Sequence, residues 1–319
     1  MEKPKTLIRH PEKKPLAAFT FAPLAIITTI MIFAACTGDV FTKGAPPEVL
    51  GEPQRAGVLE NPQLKEVSGL AASSLYPGLL WAINDGGGDP LLYAVGSDGG
   101  DLGAFRVEGA SNYDWEALAS FRLQDSAYLL IADVGDNWEQ RQTVTLYVVK
   151  EPPITAAGLG SDTAVPLAWQ IHFTYEDGPQ DCEAAAVDPV AQTVLLLTKR
   201  GLSPMLYEMP LQPDAVDAPL VARRLVSTPN FSWPTDMALS PDGLAAVVLT
   251  YNHAYLFRRR PGDDWSEAFQ KKPRLLRFET LMQQEAVCFG FYGKSVWVTS
   301  EQRPAPLVRI ELEAEPTKP

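Results

Sequence analysis

Histidine and cysteine are scarce in this chain of 319 residues, which contains three of each. Zinc sites are built from His and Cys ligands, and a Ser-His-Asp triad needs a histidine beside its serine. Beyond the first 36 residues only His172 and His253 remain, and they are far apart in the sequence. The Gly-x-Ser-x-Gly turn of serine hydrolases does not occur. The composition therefore argues against a zinc centre and against serine-hydrolase chemistry.

Positively charged residues are also few: the chain has 27 Lys and Arg against 39 Asp and Glu, which gives a formal net charge of −12. Nucleic acids bind surfaces that neutralise their phosphates with Lys and Arg. No nucleic-acid partner is therefore expected, and the charge favours cations or cationic partners. No segment shows a convincing long helical period, whereas the 28 prolines suit a protein with many tight loops.

A short apolar run that begins with an acidic residue occurs five times at similar spacing. The five acids are Glu66, Glu116, Glu183, Asp236 and Glu285. A period of about 50 residues indicates a repeat architecture, and for all-β repeats it predicts a β-propeller. In each repeat two further strand-like runs follow, bounded by Gly, Pro, Asp and Ser. We therefore expect an all-β fold in which each acid opens the innermost strand of a blade.

The expected number of blades is five, and six is the alternative because the second repeat, from Glu116 to Glu183, is 67 residues long. The last repeat has room for only three strands after Glu285. A strand around residues 50–62 is expected to supply the fourth and to close the ring, which removes open sheet edges. Residues 51–315 are thus predicted to form a single propeller domain.

The first 36 residues have the pattern of a secretory signal peptide. A basic segment precedes an uncharged apolar stretch at residues 15–35, which ends in small residues and Cys36. This pattern predicts a bacterial lipoprotein whose Cys36 is lipidated and anchored to the membrane, with residues 37–50 as a tether. The alternatives are an uncleaved membrane anchor, because the stretch is just long enough to span a bilayer, and free secretion. All three place the domain outside the cytoplasm, on the periplasmic side or at the cell surface.

The repeated acids predict a cation site at one end of the central channel. The start of an innermost strand and the end of the antiparallel second strand lie at the same face of a blade. The predicted metal ligands are Glu66, Asp85, Glu116, Asp133, Glu183, Asp236 and Glu285. Oxygen ligands without His or thiolate select Ca²⁺, with Mg²⁺ as the alternative. Without a cation, the acids would either cap backbone N–H groups and pair with Lys and Arg, or two of them would share a proton, and both arrangements stay open.

Three cations follow the second strands and fall on the same rim: Lys199, Arg200 and Arg303. If the protein is an enzyme, these cations and a metal would hold a phosphoester while Glu183 or Glu285 activates water. The alternative is that the cations only balance the neighbouring acids.

Two smaller groups of side chains are also assigned. The aromatic side chains near the loops are expected either to stack on a ligand or to pack between blades; they are Tyr76, Trp81, Trp115, Tyr175 and Trp233. Cys182 and Cys288 fall on blades that are not neighbours and are expected to be separate buried thiols.

Several motifs resemble bacterial extracytoplasmic β-propellers of the phytase-like and SdiA-regulated group. They are the segments at residues 67–73, 80–88, 92–95, 114–119, 131–137 and 183–189. The resemblance covers most of residues 60–305 and implies the fold more than a function. In architecture the chain is also similar to the calcium-activated nucleotidases.

Three functions follow as hypotheses. The first is a membrane-anchored, monomeric propeller that binds a divalent cation and a small ligand or envelope protein at the channel mouth. The second is a metal-dependent phosphoester hydrolase, and the third is a structural envelope protein without a small ligand.

Overall fold

The structure is a computed structural model that describes residues 53–154, 163–200, 203–212 and 218–312. Regular structure in these ranges is almost entirely β-strand, with one short helix, α1 (Trp265–Gln270). No helix among the described residues is long and apolar enough to cross a membrane. The predicted signal peptide, Cys36 and the predicted tether lie outside the described residues.

The described strands form five groups of four. The first contains β2 (Val67–Ala72), β3 (Leu79–Asn84), β4 (Leu91–Gly96) and β5 (Asp101–Glu108). The second contains β6 (Trp115–Leu123), β7 (Ser126–Asp133), β8 (Val144–Lys150) and β9 (Thr163–Tyr175). The third contains β10 (Cys182–Asp188), β11 (Thr193–Thr198), β12 (Met205–Pro210) and β13 (Leu220–Ser227). The fourth contains β14 (Pro234–Leu239), β15 (Ala245–Thr250), β16 (Ala254–Arg258) and β17 (Arg274–Leu276). The fifth contains β18 (Gln284–Phe289), β19 (Ser295–Ser300), β20 (Pro306–Glu311) and the N-terminal β1 (Pro53–Val58).

Within each group, neighbouring strands pair antiparallel, as in a propeller blade. The innermost strands are β2, β6, β10, β14 and β18, and each packs beside the next until β18 meets β2 again. This ring confirms the all-β propeller. The long second repeat contains the 13-residue β9, whose ends also pair in parallel with the outer strands β5 and β13.

The predicted closing strand is present. Strand β1 pairs antiparallel with β20, with Pro53 opposite Ile310 and Val58 opposite Pro306. The N-terminal strand thus completes the blade that contains the C-terminal strands. Because β20 has a partner on both sides, it presents no open hydrogen-bonding edge.

The hydrophobic core lies between the blades. Strands β2 and β10 are buried along their whole length, which explains why residues 69–72 and 184–187 are continuous apolar runs rather than alternating ones. Trp81, Trp115 and Tyr175 are buried in these inter-blade clusters, so for them the packing alternative is correct. Cys182 and Cys288 are both free and buried, which confirms the prediction of two separate thiols.

Helix α1 lies between β16 and β17 and is attached to the third blade. The Trp265 indole N–H donates to the Asp188 carboxylate at 2.9 Å, and the Arg259 guanidinium contacts the same oxygen at 2.5 Å. Asp188 itself is fully buried, and its other oxygen accepts the backbone N–H groups of Val190 and Ala191 at 3.0 Å, so its charge is well compensated. The helix therefore packs against the outside of the blades and lies away from the channel mouth.

Candidate functional site

A β-bulge occurs at the start of every innermost strand. In each blade the pairing of the first two strands shifts by one residue, and the residues left unpaired are Ser68, Glu116, Glu183, Thr235 and Glu285. A bulge bends the strand and redirects the extra side chain. All five bulged residues line one cavity of about 160 Å³ at this end of the channel. We call this cavity the acid cavity and this side of the ring the acid face.

The second strands supply the other half of the lining. One residue that follows the second strand of each blade reaches the acid cavity; these residues are Asp85, Asn137, Lys199, Tyr251 and Glu301. Together with the bulged residues they bring five carboxylates and a single ammonium group into the cavity. The cavity is therefore strongly negative when its acids are ionised.

The confinement of these acids changes how they bind protons. Burial raises the pKa of Glu183 to about 7, against the lowering effect of Lys199. Burial also raises the pKa of Glu285 to about 8, although Lys199 opposes it. The Lys199 ammonium lies 3.0 Å from a Glu183 oxygen. Burial would lower the pKa of Lys199, but Glu183, Tyr251 and Glu285 raise it above its usual range, so this side chain stays charged.

Three carboxylates converge at one side of the acid cavity. One oxygen from each of Asp85, Asp114 and Glu116 lies within 4.8 Å of the other two. Two glycines make this approach possible. A Cβ on Gly135 would collide with oxygens of both Asp114 and Glu116, and a Cβ on Gly86 would lie 2.6 Å from an Asp114 oxygen. We call Asp85, Asp114 and Glu116 the carboxylate trio.

Glu116 is the distinctive member of the trio. Glu116 is only 7% exposed, yet its carboxylate has no hydrogen bond or ion pair with any residue that the structure describes. Burial, and then the charges of Glu183 and Asp85, raise the pKa of Glu116 well above its ordinary value. Burial and Asp85 also raise the pKa of Asp114 to about 6. A buried carboxylate without a partner is costly, so this side of the cavity is suited to a cation.

Three predicted metal ligands, Glu66, Asp133 and Asp236, lie outside the lining of the acid cavity. Glu66 is exposed, because the bulge puts Ser68 at the cavity position two residues later. Asp236 is buried one residue beyond the bulged Thr235, and its carboxylate accepts from the backbone N–H of Met237 and of Val287, both at 2.7 Å.

Asp133 forms an ion pair with Arg141 at 2.7 Å and accepts backbone N–H groups of the Tyr113 segment. Asp133 and Asp236 thus follow the capping and pairing alternative. Of the seven predicted ligands, the structure brings the remaining four into the acid cavity; they are Asp85, Glu116, Glu183 and Glu285.

Of the three predicted catalytic cations, only Lys199 lines the cavity. The Arg200 guanidinium forms an ion pair with Asp181 and donates to the Asn137 side chain at 2.9 Å. Arg303 donates to the backbone carbonyls of Pro62 and Leu64, which ties the fifth blade to the segment after β1. Arg200 and Arg303 therefore hold loops in place outside the lining of the acid cavity.

Among the bulged residues and the trio, three were missed from the sequence, namely Ser68, Asp114 and Thr235. Ser68 and Thr235 carry no charge, and their hydroxyls donate to the carbonyls of Trp115 and Gln284 in the next blade. Asp114 lies two residues before a predicted ligand, Glu116. The spacing of polar residues just before each apolar run, rather than of acids alone, would have identified all three.

No protein-family model and no curated protein matches this chain. Among solved structures, the chain is similar to a chain in a crystal structure of a nidogen/laminin complex. The identity is 14%, the match covers 73% of this chain and 72% of that chain, and the TM-score is 0.43. A likeness at this level adds no argument, so the class of β-propeller rests on the strand pairing. The resemblance to the phytase-like group stays a prediction.

Proposed function

We propose that this protein is a β-propeller that binds a divalent cation, Ca²⁺ in the first place, at Asp85, Asp114 and Glu116. The observation that carries this proposal is the convergence of three carboxylate oxygens around the buried, unpartnered Glu116. Ca²⁺ accepts flexible sets of oxygen ligands at about 2.3–2.6 Å, so oxygens up to about 5 Å apart fit around one ion. The ion would relieve the repulsion that, together with burial, raises the pKa values of Asp114 and Glu116.

The rest of the acid cavity lies beside the trio and is open to a second ligand. Glu183, Lys199 and Glu285 line it, together with the Tyr251 and Glu301 side chains. A cation in the trio would therefore be adjacent to a polar chamber at the mouth of the channel. This arrangement supports the first hypothesis, a cation-dependent binding domain.

Thermal unfolding of the domain from residue 45 onward tests the cation site. We expect Ca²⁺ added after EDTA to raise the melting temperature in a saturable way. At about one hundred times the Kd, the stabilisation is about 2.7 kcal/mol, which corresponds to a shift of about 5 °C for a domain of this size. Glu116→Gln and Asp114→Asn should remove the shift.

Glu301→Gln, which alters the same cavity outside the trio, is the matched control and should keep the shift. If neither Ca²⁺ nor Mg²⁺ changes the melting temperature of the unmodified domain, the cation site does not exist. That result would favour the structural hypothesis, which predicts that the rim acids can be changed to Ala with no loss beyond stability.

The hydrolase hypothesis has less support. Lys199 is the only predicted catalytic cation in the cavity, and it already pairs with Glu183. No geometry among the described residues places a water-activating carboxylate opposite a bound phosphoester. We therefore propose binding, and a screen of phosphoesters with the Ca²⁺-loaded domain would detect turnover if it occurs.

We also propose that the domain is held outside the cytoplasm by a lipid on Cys36. The support is the sequence pattern of residues 1–36. Palmitate labelling of expressing cells should mark the full chain and not a Cys36→Ala variant. A chain that stays in the membrane fraction without label would indicate the uncleaved anchor instead, and an unlabelled soluble chain would indicate free secretion.

A further inference from the structure

Large apolar side chains are exposed around the acid face. Of the nine such side chains in the described residues, four lie in segments on this face: Tyr113, Trp138, Trp233 and Met282. Trp138 is 82% exposed. Exposed aromatic side chains rimmed by polar residues mark interaction sites, and Trp and Tyr carry much of the binding energy in protein interfaces.

Each of these side chains is close in sequence to the acid cavity or the trio. Trp138 follows Asn137, and Tyr113 precedes Asp114. Trp233 and Met282 lie two and three residues before the bulged Thr235 and Glu285. The strand ends therefore bring apolar contact surface to the border of the acid cavity.

Two of these aromatic residues are held in their exposed positions. The Arg141 guanidinium stacks on the Tyr113 ring, with its carbon 4.6 Å from the ring centroid, and Arg141 is itself fixed by Asp133. Trp233 has φ of +56°, a left-handed backbone conformation that bulky residues rarely adopt. Such strain persists only where the surrounding structure enforces it, and it concentrates at functional sites.

Charge selects the kind of partner. The acid cavity contains five carboxylates and one ammonium group, and the whole chain has a formal net charge of −12. With a divalent cation in the trio, Glu183, Glu285 and Glu301 still outnumber Lys199. An anionic partner would be repelled, whereas a cation is attracted both by these carboxylates and by the faces of Tyr and Trp rings.

We propose that the acid face docks a basic polypeptide. A Lys or Arg side chain of the partner enters the mouth of the acid cavity, and its neighbouring apolar side chains pack on Tyr113, Trp138 and Trp233. This inference uses the same cavity as the proposed function, but it does not depend on which cation the trio prefers.

The test is calorimetric titration of the Ca²⁺-loaded protein with a peptide of alternating lysine and leucine, and with a peptide in which glutamate replaces lysine. We expect only the lysine peptide to bind, and its affinity to fall as ionic strength rises. Trp138→Ala and Trp233→Ala should each weaken binding about tenfold. Tyr292→Ala is the matched control, because Tyr292 is 71% exposed on the opposite face, and it should bind as the unmodified protein does.

Absence of lysine-peptide binding would overturn the proposal, as would equal binding of the two peptides or equal weakening by Tyr292→Ala. Binding of neutral oligosaccharides in place of the peptide would also overturn it. The Ca²⁺ shift in melting temperature is measured for every variant. If peptide binding fails while the shift persists, only the docking proposal is wrong. If the peptide binds while the shift is absent, only the proposed cation site is wrong.

Discussion

The Asp236 carboxylate accepts backbone hydrogen bonds at a position where the sequence pattern predicted a metal ligand. Its two oxygens accept the N–H groups of Met237 and of Val287, and Val287 belongs to the innermost strand of the next blade. Burial raises the pKa of Asp236 well above its ordinary value. The position therefore requires two acceptor oxygens, one for each of these N–H groups.

We expect Asp236→Asn to unfold at a lower urea concentration than the unmodified domain, because its amide has one acceptor oxygen and its NH2 group would face the second backbone N–H. Asp236→Ala should lower the free energy of unfolding more, by about 1–3 kcal/mol for each of the two buried N–H groups that it leaves without an acceptor. The Asn variant should also retain the shift in melting temperature with Ca²⁺. If that shift disappears in Asp236→Asn, Asp236 contributes to cation binding and its structural assignment is wrong.

At the scale of the strands, the sequence period was sufficient to predict the elements but insufficient to predict which side chains reach the cavity. Three of the five acids, Glu116, Glu183 and Glu285, fall on the bulge, whereas Glu66 and Asp236 miss it by two residues and one residue. Side chains alternate between the faces of a strand, so a slip of one residue reverses their direction. Apolar patterning contains no information on such a slip.

The contacts that Arg200, Arg303 and Asp133 each make could not be predicted from the sequence for a different reason. Their partners are Asp181, the carbonyls of residues 62 and 64, and Arg141, and these contacts depend on loop conformation. Charge counting places a residue on a rim, but it does not show whether the side chain faces the channel or the loop beside it.

Strand β1 leads to a prediction at the same scale. A domain that begins at Leu59 lacks β1 and leaves the edge of β20 unpaired, whereas a domain that begins at Pro53 retains the pair. We expect the shorter form to melt at a lower temperature and to elute partly as aggregates in size-exclusion chromatography. Equal melting temperatures and a single monomer peak for both forms would show that closure of the ring by β1 is dispensable.

At the scale of the whole molecule, the acid cavity links stability to pH. Folding raises the pKa values of Glu183 to about 7 and Glu285 to about 8, from 4.5. Between these values the folded chain holds more protons than the unfolded chain, so the metal-free domain loses stability as pH rises through the folded pKa values. A cation at the trio competes with protons on Asp114 and Glu116, whose pKa values are also raised by burial, so its benefit grows with pH.

We therefore expect the melting temperature in EDTA to fall from about pH 5 to about pH 9, and the gain from Ca²⁺ to increase over the same range. Glu285→Gln should flatten the profile in EDTA, since it removes the group with the higher of the two pKa values. A metal-free profile that rises across this range would contradict the assignment of these buried acids.

The pairing of β1 with β20 has a consequence for how the domain folds during its synthesis. The two strands come from opposite ends of the domain, so their contact spans nearly the largest separation that the chain allows. Contacts of this kind form slowly, and here they cannot form before the final strand has been synthesised. Until then the nascent domain is an open arc with unpaired strand edges, and exposed edges of this kind make a folding intermediate prone to aggregation.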